Sequence, residues 1–491
     1  MTGSSWRLSG AVPVMAEQCQ VRGPRGAVAA AAPAAALVGA EALRAGGNAY
    51  DAVLAAALAE TVLLPPKCGL AGDLVALAWP RDCAEPQALL AIGGAPAGLA
   101  ELAIHGGMQA TGPGSVGVPG APAGYLALAA RGRLPLAQLA APAIDMARRG
   151  FCWSRICSSL AEESAELVAR HNAAGTRYYP GGCVIAPGTV MVLPGLAAAL
   201  EALVADREGF LEGAVGEAIL ECVRRHGGVL AREDFSRPVH AEWAKATAGR
   251  LGGRKLFVTP APTHGAALLR ALESMTELTQ VPVAAVHAPV SAAVDWQKAS
   301  LSDPGGTSMV SAVDGEGTMV SVVHSNSFPR FGSGLIVEKY DLILANRAGR
   351  GFSSEPGHPN FPRAGRRPAT TLHAWSVAGP GAMRLQGATP GGANQMPWNA
   401  QTLARLLGGE TDIGRLIAAP RWDASDAAGS LVLEEGFEAA EIDLLRSSSQ
   451  SCQVIGRWGL HSAMQIIADD PERGLLAAAA DPRTVGAALA F

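Results

Sequence analysis

No C-x-x-C pair and no H-E-x-x-H or H-x-H run occurs in the 491 residues, so the usual zinc and dithiol spacings are absent. The eight cysteines are scattered along a chain too large to need a disulfide framework, and buried free thiols in a reducing cytoplasm are the expectation. There is no long basic run. A formal net charge of −4 with 17% charged residues leaves no electrostatic footprint for nucleic acid or an anionic membrane surface. No apolar run reaches the ~20 residues of a membrane span. The alanine run 27–32 follows Arg22 and Arg25 as in a secretion signal, but it starts late, meets Pro33 and runs into Glu41 and Arg44. Aromatics are scarce at 5%, while alanine is abundant and glycine numbers 59, as suits closely packed elements.

The length can hold a large core, as several domains or as one layered sandwich. Residues 1–25 read as a loose lead-in. Helices are expected at 33–44, stopped by Gly46-Gly47, and at 51–63, capped by Asn48 and ended by Pro65-Pro66. Strands are expected at 74–79 and 88–92, then helices from 121 and at 136–149, 158–170, 196–206 and 215–225. A strand at 256–259 and a helix at 265–275 precede an irregular stretch, 280–305, which reads as an exposed linker. Further on, strands fall at 341–345, 372–378 and 382–387, with a helix at 398–407. The long loop 349–367 carries three prolines and little periodicity, the mark of a functional or disordered segment.

Two tempting motifs fail on context. Gly69-Leu70-Ala71-Gly72-Asp73 follows a helix and precedes a strand, the reverse of a phosphate loop. Around Ser115, Pro113 and the missing strand bracket argue against a nucleophile elbow.

A stronger candidate is Thr307. Alternation over 308–313, the turn Asp314-Gly315-Glu316-Gly317 and a second run at 318–323 predict a β-hairpin whose first strand starts at Thr307. Met309, Ser311 and Val313 then share one face. Gly-Gly-Thr before a strand is often an ordinary turn. It is also what an N-terminal nucleophile requires: a glycine without Cβ lets the hydroxyl reach the preceding carbonyl. Cleavage between Gly306 and Thr307 would free an α-amine of reference pKa about 7.7–8.0, able to serve as base for its own hydroxyl.

The landmarks in order are Arg44-Ala45-Gly46-Gly47-Asn48-Ala49-Tyr50-Asp51-Ala52, Gly69–Asp73, Ser115–Gly120, Pro142-Ala143-Ile144 and Glu233-Asp234-Phe235. Pro260-Ala261-Pro262, Gly306-Thr307-Ser308, Phe331-Gly332-Ser333-Gly334, Pro390-Gly391-Gly392, Ala419–Trp422 and Asp481-Pro482-Arg483 follow. Together they resemble the γ-glutamyltranspeptidase family of N-terminal nucleophile hydrolases along nearly the whole chain. The resemblance implies an α+β fold, a four-layer αββα sandwich. It implies one precursor cut into a large segment, 1–306, and a small one, 307–491, which stay intertwined. Thr307 would be nucleophile and N-terminal base, with backbone N–H groups of Gly391 and Gly392 as the oxyanion hole. Asn326, Thr370 and Thr371 match substrate-facing positions. His324 replaces a small hydroxyl residue, either as a satisfied buried histidine or as a group orienting Thr307. No metal or organic cofactor is implied; the partner is a small acyl substrate, and higher oligomers are not legible.

The departures bear on substrate. The family's glutathione enzymes hold the amino-acid end with an early Arg and a later carboxylate; here those places hold Ala95 and Gly351. Losing both charge-assisted pairs speaks against γ-glutamyl donors. Arg347 and Arg350 instead suggest a pocket for an acidic acyl group such as an oxalyl end, or else a solvated loop. The motif Asn346-Arg347 to Asn360 resembles the family's non-glutathione amidohydrolases. The segment between Met275 and Gly306 is short for the family, which bears on cleavage. The same nucleophile would also suit C–C cleavage beside an oxalyl-type carbonyl in natural-product biosynthesis, and an inactive binding protein is the reading from another class.

Overall fold

In a computed structural model of the chain, the described residues are 19–491 apart from 208, 237–240, 274, 276–282, 301–306, 380, 424–429, 448 and 450. Two seven-stranded sheets form the centre. The first runs in the order Ala487–Ala490, Gly26–Ala30, Ser308–Asp314, Met319–Ser325, Asp73–Trp79, Gln87–Ala91 and Glu242–Lys245. The second runs Gln20–Gly23, Leu475–Ala480, Gln465–Asp470, Arg384–Ala388, Trp375–Ala378, Arg254–Val258 and Thr247–Leu251. All pairings within both sheets are antiparallel.

The predicted hairpin lies at the centre of the first sheet, with Ser308 opposite His324 and Val313 opposite Met319. Its alternation decides its faces: Met309 and Val313 join Phe257, Ile467 and Ala478 between the sheets. Val310 and Ala312 turn to the outer helices instead. Helices Pro33–Arg44 and Ala49–Leu63 cover the first sheet; Gly265–Glu273, His287–Ser300 and Gln395–Leu407 cover the second. The result is the αββα sandwich the resemblance implied.

Ala49–Leu63 is apolar on nearly every side because it is buried on nearly every side. Its start is fixed by a capping box, in which Asn48 Oδ1 accepts from the Tyr50 and Asp51 N–H groups and Asp51 Oδ2 accepts from the Asn48 N–H.

Three expectations are corrected. Gln20–Gly23 of the supposed loose lead-in is a strand at the edge of the second sheet, just ahead of the buried strand Gly26–Ala30 that holds most of the alanine run. Residues 280–305 are not an irregular linker throughout, since His287–Ser300 is a helix that buries Val290 and Ala293. Pro289 falls in its first turn, where no N–H is needed, so the proline did not break it. Finally, the eight cysteines are free as expected, but Cys83, Cys152 and Cys183 are exposed rather than buried. Among the described residues no helix is long and apolar enough to cross a membrane.

Candidate active site

Thr307 stands just before the Ser308–Asp314 strand and is buried. Gly306 lies outside the described residues. The Thr307 side chain meets Gln395, the first residue of the Gln395–Leu407 helix. Neighbouring donors and acceptors orient this amide: its oxygen accepts from Thr307 Oγ1 at 3.0 Å and from Thr371 Oγ1 at 3.1 Å. Its nitrogen donates to the carbonyls of Thr371 at 3.1 Å and Thr389 at 3.3 Å. One buried amide therefore joins Thr307 to the Thr370-Thr371 segment and to the turn after the Arg384–Ala388 strand. Behind Thr371, His373 Nδ1 donates to its carbonyl at 2.7 Å, and Asn399 Nδ2 donates to His373 Nε2 at 2.9 Å. Trp375 Nε1 donates to Asn399 Oδ1 at 3.0 Å. Burial lowers His373 to about 4, so it stays neutral and its tautomer is set by these bonds.

The turn holds Gly391 and Gly392 at φ 147° and 61°. A Cβ on Gly391 would come within 2.3 Å of the Trp398 ring, so sterics and backbone both demand glycine there. The turn is anchored from below. Thr389 Oγ1 lies 3.2 Å from Ser462 Oγ, which donates to Asp481 Oδ2 at 2.7 Å. Arg421 bonds both Ser462 and Asp481, and Arg483 bonds Asp481 and Glu434, in a buried ionic network.

On the other side of the strand, Ser308 Oγ donates to Glu60 Oε2 at 2.6 Å. The same oxygen lies 3.0 Å from His324 Nε2, while Glu60 Oε1 accepts the Ala31 N–H at 2.7 Å. With Nε2–H directed to Glu60, His324 Nδ1 accepts from Tyr125 Oη at 2.9 Å. Burial holds the Tyr125 phenol well above its ordinary value, which keeps it a donor. Cys68 brings a third ligand-type atom within 4.8 Å of those of Glu60 and His324. The donor chemistry does not fit a metal: the carboxylate oxygens are committed to three donors, and burial pushes the Cys68 thiol well above its ordinary value.

A sequence profile of the gamma-glutamyltranspeptidase family matches residues 35–295 and 279–491. The chain belongs to the gamma-glutamyltranspeptidase family. It is an N-terminal nucleophile hydrolase. Similar proteins include the acylase ACY 1 proenzyme of Pseudomonas sp. (strain V22), 26% identical over 94% of this chain and 93% of that protein. The glutathione hydrolase-like YwrD proenzyme of Bacillus subtilis (strain 168) is 25% identical over 90% of this chain and 94% of that protein. The crystal structure of cephalosporin acylase from Bacillus halodurans superposes with a TM-score of 0.81 at 26% identity, covering 100% of this chain and 99% of that one.

Against the family pattern, Thr307, Thr371 and the glycine turn converge through Gln395. Thr370 is buried beside them, and its carbonyl accepts the His264 N–H at 3.0 Å. His324 does not bond Thr307; both its ring nitrogens are engaged by Tyr125 and Glu60. Asn326 is buried, and its Nδ2 donates to the Pro65 carbonyl at 3.1 Å. The Arg347 charge is already matched by a carboxylate. Arg347 is buried, and its Nε donates to Asp73 Oδ2 at 3.1 Å. Asp73 lies 274 residues away in the chain, so no local pattern announced the pair. Arg350 sits half-buried with its guanidinium 5.5 Å from the Phe328 ring centre.

Of the two departures, Ala95 is fixed by its backbone and Gly351 has a steric cause. The 364–366 segment bonds Ala95 on both sides, with Gly365 N–H to the Ala95 carbonyl at 2.9 Å and Ala95 N–H to the Arg366 carbonyl at 2.8 Å. A Cβ on Gly351 would stand 2.6 Å from the Ala369 carbonyl, leaving no room for a carboxylate side chain. Sequence reasoning missed Gln395, Glu60, Asp73 and His264. Of these, Glu60 carried the clearest signal: a carboxylate deep in a mostly apolar helix, well past the Asp51 of its capping box.

Proposed function

We propose that the protein is a self-processing N-terminal threonine hydrolase that cleaves an amide-type acyl bond in a small, non-γ-glutamyl substrate. The observation that carries this is the Thr307 hydroxyl, buried at the head of a central strand and bonded to Gln395 beside the glycine turn. Cleavage before Thr307 divides the chain into 1–306 and 307–491. The freed α-amine takes the Oγ1 proton as Oγ1 attacks the acyl carbonyl. The N–H groups of Gly391 and Gly392 receive the oxyanion, the leaving amine takes up the proton, and water or an amine resolves the ester. The relatives named acylases support an amide bond. The absence of an arginine at Ala95 and the lack of room for a carboxylate at Gly351 argue against a zwitterionic γ-glutamyl end.

Hydrolysis of a panel of p-nitroanilides tests this. Succinyl, oxalyl and acetyl substrates should be cleaved faster than the γ-glutamyl one. Thr307→Ala should lose at least about a thousandfold in kcat/KM. A γ-glutamyl preference, or an undiminished Thr307→Ala, overturns it.

A further inference from the structure

Arg347 has its carboxylate, but two other cations at the same end of the sheet have none. Lys67 is 7% exposed, and among the described residues its ammonium has no hydrogen bond or ion pair. Arg330 encloses Nε and Nη1 without partners. The two lie on segments fastened together: Asn326 N–H donates to the Lys67 carbonyl at 2.9 Å, and Phe331 N–H to the Pro66 carbonyl at 3.1 Å. Ser164 Oγ holds the Arg330 carbonyl at 2.8 Å. Burial lowers the pKa of both groups, and Arg330 lowers that of Lys67 further. The acids facing them do not cancel this. Glu60 is already bonded to Ser308, His324 and the Ala31 N–H, and Glu163 stands in solvent on the Arg330 side. A buried lysine and a half-buried arginine whose charges repel, with no carboxylate bonded to either, favour an anion that joins them.

We propose that Lys67 and Arg330 form an anion subsite for the carboxylate of an acidic acyl group. An ammonium and a guanidinium fork are the pair that such a group engages with charge-assisted hydrogen bonds. The approach is marked at the surface by Phe328, 38% exposed, with the Arg330 and Arg350 guanidinium groups 5.6 and 5.5 Å from its ring centre. The subsite lies at the same end of the sheet as Thr307: Asn326, whose N–H donates to the Lys67 carbonyl, follows the strand on which His324 pairs with Ser308. Its catalytic consequence rests on the acyl-hydrolase reading above; its binding of a carboxylate does not.

The test is thermal denaturation of the purified protein with increasing sodium succinate, against sodium chloride of equal ionic strength and neutral succinamide. The subsite predicts a saturable rise in Tm with succinate alone. Lys67→Met and Arg330→Gln should each weaken succinate binding by about tenfold or more. Without succinate, Lys67→Met should be as stable as wild type or more so, whereas a purely structural lysine would leave it less stable. Thr307→Ala should bind succinate like wild type, so failure of the nucleophile assignment is told apart from failure of the subsite. In turnover, Lys67→Met should lose kcat/KM for succinyl-p-nitroanilide and keep it for acetyl-p-nitroanilide. If Lys67→Met fails to fold, Arg330→Gln decides. No saturable succinate effect in wild type, or an equal effect in the variants, overturns the proposal.

Discussion

At the scale of single residues, Gln395 is the group whose loss should be most informative. It holds the Thr307 and Thr371 hydroxyls with one oxygen and two backbone carbonyls with its nitrogen, so the rotamer of the proposed nucleophile depends on it. Gln395→Ala should lower kcat by roughly tenfold to a hundredfold with KM little changed, as for an interaction that orients the reacting group. A variant with normal kcat and raised KM would instead make Gln395 a substrate contact. Glu60 is the matching test on the far side of the strand. Removing one partner of a buried pair costs about 3–5 kcal/mol, so Glu60→Leu should be strongly destabilised in urea. Glu60→Leu/His324→Leu should recover part of that loss. Simple additivity of the two single variants would show that the pair is not coupled.

Among the elements, two carry a buried neutral histidine at their start: His264 just before the Gly265–Glu273 helix and His373 just before the Trp375–Ala378 strand. Burial depresses both, His373 from 6.5 to about 4. The unfolded chain therefore binds more protons between those values, and stability should fall as pH drops from 6.5 toward 4. For His373 alone the loss is roughly 3 kcal/mol. Urea midpoints at pH 7 and pH 5 in wild type and His373→Phe check it; an equal slope in both would remove His373 as the cause. Elements whose pattern was local were legible. The hairpin at 308–325 and the helix with its Asn48 cap came from alternation and capping chemistry. What the sequence hid was long-range, Asp73 against Arg347 and Glu60 under Ser308, together with the helix His287–Ser300, masked by Pro289 and its small residues. Thr307 was visible as a strand head, but its Gln395 partner was not, because nothing local marks an amide 88 residues away.

For the whole molecule, the proposed cleavage falls inside an interwoven structure. The Ser308–Asp314 strand of the small segment pairs with Gly26–Ala30, and Met319–Ser325 pairs with Asp73–Trp79, both of the large segment. After cleavage the segments should co-elute in native buffer and unfold in one transition. Separation into two peaks without denaturant would contradict this. The most direct test of the central claim is intact mass on the denatured protein beside Thr307→Ala. Scaling 50.0 kDa by 185 of 491 residues predicts a fragment of about 19 kDa starting at Thr307 and one of about 31 kDa. Thr307→Ala should remain whole. A wild type that stays in one piece, or a Thr307→Ala protein that is still cut, would contradict Thr307 as the self-processing nucleophile.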